Sequence, residues 1–153
     1  MYFPVRRIIV STVKNIPAIA FESVSEKLRS TELPAADLVV GVGSGGIVPA
    51  AMTAYELQVP MMPLWLNYRD KNNKPQHSLP QLYQPFDVPS DANHILLVDD
   101  VVVSGKTLNA AINLLPPNIR VTTLALKGYA DIVLFPEIES CVQWPWNQPQ
   151  HNL

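Results

Sequence analysis

Apolar positions along this chain recur with two periods, and their alternation predicts most of its architecture. Ile16, Ile19, Ala20, Val24 and Leu28 fall at steps of three and four, which predicts an amphipathic helix ending before Pro34. A short β-branched run from Arg6 to Ser11 precedes it and predicts an edge strand. Leu38-Val39-Val40-Gly41-Val42 is nearly all apolar, as expected of a strand covered on both faces. Beyond a glycine cluster, Val48, Ala51, Met52 and Tyr55 mark the inner face of a second helix, and Met61 to Leu66 predicts another strand. The strand pattern resumes at His94 to Val98. Leu108, Ile112 and Leu115 then give a helical stripe stopped by Pro116-Pro117. Ile119 to Leu126 predicts a further strand and Ile132 to Phe135 a short one. Strand and helix alternate, so the expected fold is α/β, with a mainly parallel central sheet flanked by helices in a single domain over 1–153. One segment breaks the pattern. Residues 67–93 are rich in Pro, Gln, Asn and Asp, a composition expected of a functional lid or a disordered excursion.

Composition narrows the function classes. Hydrophobic residues make up 48% and charged ones 16%, which excludes a disordered, heavily solvated chain. A net charge of -2 with no basic block argues against a nucleic-acid partner, whereas a small anion needs only a few N–H groups and one or two lysines. The longest weakly polar stretch, Leu38 to Ala54, is broken by glycines, a serine and a proline, so no membrane span is expected. The opening residues do not read as a signal peptide, and the single Cys141 cannot form an internal disulfide. Both point to the cytoplasm. His77, His94 and His151 lack metal-ligand spacing, and Cys141 has no basic neighbour in sequence to activate it.

In a parallel sheet, ligands bind beyond the carboxyl ends of the strands, and two of those ends are unusual here. The first runs Ile95-Leu96-Leu97-Val98-Asp99-Asp100-Val101-Val102-Val103-Ser104-Gly105-Lys106-Thr107-Leu108. Two carboxylates emerge from a buried strand, and a Ser-Gly-Lys-Thr turn opens a helix whose free N–H groups favour a phosphate. Asp99 and Asp100 repel a phosphate but accept from vicinal hydroxyls, or hold a metal and its waters. A sugar phosphorylated at one end satisfies both halves. A nucleotide triphosphatase P-loop requires glycine five positions before Gly105, where Asp100 stands. A receiver domain needs a longer chain after its acidic pair than the 53 residues that follow Asp100. The second end, Gly41-Val42-Gly43-Ser44-Gly45-Gly46, satisfies a dinucleotide-binding spacing, yet no acid stands near Met61 to Trp65, where that reading needs one.

The Ile95–Leu108 segment resembles the 5-phosphoribosyl-1-pyrophosphate (PRPP) motif of type I phosphoribosyltransferases. The wider sequence is most similar to the xanthine-guanine (6-oxopurine) members. The resemblance implies a phosphoribosyltransferase-like domain that transfers the 5-phosphoribosyl group of PRPP to a nucleobase, a purine by this likeness, and releases pyrophosphate. It assigns Asp99 and Asp100 to the ribose hydroxyls, and through them or through water to Mg2+. Val103, Ser104, Gly105, Lys106 and Thr107 would wrap the 5′-phosphate, and Ser44, Gly45 and Gly46 would face the pyrophosphate. Asn67-Tyr68-Arg69-Asp70 resembles the opening of a mobile catalytic hood over 67–93. Lys127, at the end of a strand, and Val142 would meet the base, and Val142 would do so within a clamping segment over 128–153 that holds Gln143-Trp144-Pro145-Trp146. The family also implies a homodimer or homotetramer.

Three departures bear on activity. Val103 stands where 6-oxopurine enzymes carry an aspartate, Ser44 where the xanthine-guanine enzymes carry an arginine, and Cys141 or Val142 where a stacking aromatic is expected. Trp144 and Trp146 read as packing residues before they read as base stackers. The departures keep a second function open, a PRPP- or nucleotide-binding regulator on the same fold without transferase activity.

Overall fold

A computed structural model describes residues 16–67, 74, 78 and 81–147. The expected strand over 6–11, Tyr68 and the last residues of the tail lie outside them. The elements are α1 (Phe21–Ser30), β1 (Leu38–Gly43), α2 (Ile47–Leu57), β2 (Met61–Asn67), β3 (Gln81–Leu82), β4 (His94–Val102), α3 (Lys106–Leu114), β5 (Arg120–Gly128) and β6 (Ile132–Val133), followed by a 3₁₀ turn at Pro145–Asn147. The six strands form one sheet in the order β3-β2-β1-β4-β5-β6. Every neighbouring pair is parallel except β2 with β3. The mainly parallel α/β fold expected from the sequence is therefore the fold observed. None of the described helices is long and apolar enough to cross a membrane.

The period of two along the strands divides the core. Val39, Leu96, Val98, Leu124 and Leu126 pack with Val24 and Leu28 of α1 and with Ala50 and Ala54 of α2. Their alternates Leu38, Val40, Ile95, Leu97 and Ala125 pack with Leu108, Ala111 and Leu115, on and just beyond α3. Both faces of β4 are thus covered, and Ile95 to Val98 are fully buried, each contributing about 1.5–3 kcal/mol by leaving water.

Three boundaries differ from the sequence expectation, each because tertiary pairing overrides local period. Helix α1 starts at Phe21 rather than near Ile16. The residues before it are taken up by the C-terminal segment: Ile19 N donates to Gln143 O at 3.0 Å, and Gln143 N donates to Pro17 O at 2.9 Å. Strand β4 runs four residues past Val98, because Asp99, Val101 and Val102 continue the pairing with β5. At the start of the polar stretch over 67–93, Leu66 pairs with Leu82 and Asn67 with Gln81, so strand pairing continues where no period predicted it. The strands β1, β4 and β5 end on one edge of the sheet, at Gly43, Val102 and Gly128, and the cavity lies there.

Candidate active site

A cavity of about 850 Å³ opens at that edge and joins three groups of residues that are far apart in sequence. The acids form its floor. Asp99 is 8% exposed and Asp100 is half-buried. Their spare lone pairs are partly met by the strand itself: Asp100 N donates to Asp99 Oδ1 at 2.9 Å, and Val101 N to Asp100 Oδ1 at 2.8 Å. Desolvation, and then the neighbouring Asp100 charge, push the Asp99 carboxyl well above the usual carboxylate range. Desolvation also raises Asp100. Two carboxylates held this way gain from any ligand that donates to them or carries positive charge.

Beyond the acids, Gly105 takes a left-handed φ of 74°, which any side chain would resist, and so turns the chain into α3. No side chain caps this helix, apart from a long Ser104 Oγ contact at 3.5 Å from Lys106 N. The first-turn N–H groups are left for a ligand anion. Ser104, Gly105 and Thr107 line the cavity, and Val103, 76% exposed, stands at its mouth. The side chain of Lys106 is exposed and outside the lining, so this residue offers the site its backbone only.

The glycine loop forms the second wall. Gly43, Ser44 and Gly45 line the cavity, and the Gly43–Ser44 peptide is cis. Gly45 lies against the acid: a methyl group there would sit 2.6 Å from Asp100 Cγ. Gly46 departs from its expected place. Its N–H donates to Val42 O at 2.8 Å, and the residue is buried behind the loop, outside the lining.

At the third side, Lys127, Cys141, Val142, Trp144 and Asn147 meet. Lys127 Nζ donates to Ser140 O at 2.6 Å and so ties the end of β5 to the C-terminal segment. Trp144 is 2% exposed and stacks on Trp146 at 5.7 Å with an interplanar angle of 9°. It therefore serves as packing and as cavity wall together. Sequence reasoning missed Leu66, Val101 and Asn147 as lining residues, since nothing local marks them as facing a ligand.

Among the described residues no three His, Cys, Asp or Glu side chains converge as metal ligands. The pair Asp99 and Asp100 nevertheless fits Mg2+ in its usual mode, where one or two carboxylates act with water and substrate oxygens, and their raised proton affinity is what a nearby cation would relieve.

An acidic pair on a strand, a helix-opening turn and a glycine loop thus meet in one cavity on the same edge of the sheet. Residues 10–120 match the phosphoribosyl transferase domain, and the chain belongs to that family. It is 30% identical over 112 residues to "Bifunctional protein PyrR" of Limosilactobacillus fermentum, covering 64% of this chain and 63% of that protein. It is also 30% identical over 112 residues to the adenine phosphoribosyltransferase of Cupriavidus necator, covering 67% and 55%. The chain thus spans less than two thirds of the length of these relatives. In structure it is similar to a purine phosphoribosyltransferase from Pyrococcus horikoshii Ot3, with a TM-score of 0.66 at 21% identity over 88% of this chain and 95% of that one. This last likeness concerns the fold.

Proposed function

We propose that this protein transfers the 5-phosphoribosyl group of PRPP to a nucleobase, most readily a 6-oxopurine, and releases pyrophosphate. The observation that carries the reading is the convergence, in one cavity, of the glycine loop, the acid pair and the Ser104–Thr107 turn, with Lys127 and Val142 on the remaining side. Each subsite fits one part of the reaction. The first-turn amides of α3 and the Ser104 and Thr107 hydroxyls hold the 5′-phosphate. Asp99 and Asp100 accept from the 2′- and 3′-hydroxyls, fixing the sugar so that C1 faces the base. Gly43 to Gly45 receive the pyrophosphate through main-chain N–H groups, with the Ser44 hydroxyl in place of a cation. Lys127 has N–H donors beyond the one spent on Ser140, which suits an exocyclic oxo group of the base.

A ring nitrogen of the base bonds to C1, the C1–oxygen bond to pyrophosphate breaks with its electron pair going to pyrophosphate, and the nitrogen gives up its proton to water or to the departing pyrophosphate. Catalysis of this kind rests on positioning and electrostatics, and needs no covalent intermediate on the protein. Magnesium, held at Asp99 and Asp100 through water or ribose oxygens, would supply neutralisation of the pyrophosphate charge. A cytoplasmic homodimer or homotetramer completes the proposal.

Incubation with PRPP, magnesium and xanthine, guanine, hypoxanthine, adenine, orotate or uracil tests it, with pyrophosphate release as the readout. Release that depends on a 6-oxopurine supports the whole reading. Release with another base alone moves the acceptor and keeps the transferase. No release with any base, together with PRPP binding, favours the regulatory alternative.

A further inference from the structure

We infer that Trp65 is a positioning residue for the pyrophosphate loop, holding it against the strand pair β2–β3. The inference rests on the proposed role of Gly43 to Gly45. Strands β1 and β2 run parallel with Gly43 and Trp65 in register, so the indole stands beside the last residue before the loop turns. Its six-membered ring lies against Gly43, where an added Cβ would come within 2.9 Å of Cδ2 and 2.8 Å of Cζ3. Only glycine permits this contact, and it leaves the chain no room to settle toward β2. At the far end of the loop, Gly45 meets the Asp100 carboxylate as closely. The loop is gripped at two points, by a ring and by an acid, with the exposed Ser44 between them.

Trp65 is half-buried and does not line the cavity, so it acts through the loop rather than on a ligand. Its backbone carbonyl also accepts from Tyr83 N at 2.8 Å, one step beyond the β2–β3 pairing. One residue thus fixes the direction of the loop peptides through its ring and extends the β2–β3 pairing through its main chain. Rigid support of this kind matters where main-chain N–H groups must point at a charged ligand, because hydrogen bonds weaken steeply with misalignment.

Trp65→Ala should open a gap beneath Gly43 and let the loop drift, while the Ser104–Thr107 turn stays where β4 and α3 put it. Calorimetric titrations of the full chain with PRPP, inorganic pyrophosphate and ribose 5-phosphate, all with magnesium, separate the two ends of the site. The expected result for Trp65→Ala is a loss of about tenfold or more in affinity for PRPP and pyrophosphate, the size of one charged hydrogen bond, with ribose 5-phosphate affinity held within about twofold. Trp65→Phe, which keeps a ring on Gly43, should recover most of the loss. Trp65→Leu, which keeps apolar bulk on β2 but no ring against Gly43, should show the same selective loss and serves if Trp65→Ala does not fold. Equal losses for all three ligands, or none, would overturn the positioning role while leaving the site reading intact. A wild-type chain that fails to bind PRPP would instead remove the site reading, and this inference with it.

Discussion

Asp99 is the residue at which binding and stability should part company. The residue is 8% exposed, and its carboxyl is raised well above the usual carboxylate range, by desolvation first and by the Asp100 charge second. A group whose folded pKa exceeds its unfolded one makes the native state bind more protons than the unfolded chain between those two values. Stability therefore falls as pH rises through that window, and the penalty stays in full above it. Asp99→Asn removes the charge yet keeps an oxygen for the bond from Asp100 N, and turns an amide donor toward the remaining carboxylate. At neutral pH the variant should gain about 0.5–2 kcal/mol, the usual yield of a relieved functional site. For a chain of this size that is a Tm rise of about 1–8 °C, at about 2–4 °C per kcal/mol. The gain should be smallest in acid, grow as pH rises and then level off. Scanning calorimetry on both proteins across a pH series measures it, with a PRPP titration beside it in which affinity should fall by about tenfold. A Tm equal to or below wild type at neutral pH, or a gain that does not change with pH, would refute the reasoning, since it would mean that the fold stabilises the charged form.

Gly45→Ala should place a methyl against Asp100 and weaken PRPP binding by at least about tenfold with little change in the circular dichroism spectrum, measured by the same titration. Trp144→Ala removes a ring that is 2% exposed and packed between Phe135 and Trp146, and should cost about 3–5 kcal/mol in urea unfolding. Lys127→Ala should raise KM for a 6-oxopurine while leaving PRPP affinity unchanged, because Nζ meets the C-terminal segment rather than the acids. Steady-state kinetics with each substrate varied in turn checks this.

How much of this was legible in the sequence depends on how local each feature is. Asp99, Asp100 and the Ser104–Thr107 turn are consecutive, so a strand, two acids and a helix start declare themselves within fourteen residues. The sheet was legible for a similar reason: runs such as Leu38 to Val42 can only be buried on both faces. The grip of Trp65 on Gly43 was not, because it depends on the register of two strands separated by a helix. Gly46 looked equal to its neighbours, and only the bond to Val42 O shows its N–H to be already spent. Likewise the start of α1 could not be read from period alone. Ile16 fits the helical stripe, but the strand-like pairing of Pro17 to Ile19 with Gln143 takes those residues out of the helix.

The register of β4 and β5 makes the sheet a ruler for whatever molecule occupies its edge. Asp99 faces Ala125, and Val101 faces Lys127, so the lysine lies two residues further along the ladder than the acid. At about 3.3 Å per residue, that is roughly 6.6 Å of spacing set by main-chain hydrogen bonds rather than by rotamers. A slip of one residue would shift the lysine by half that distance and turn it to the opposite face of the sheet. The proposed sugar contact and the proposed base contact therefore cannot drift apart through small side-chain changes. Any descendant of this chain that adopts an acceptor of different length must change the side chains at the far end, and leave the ladder as it is.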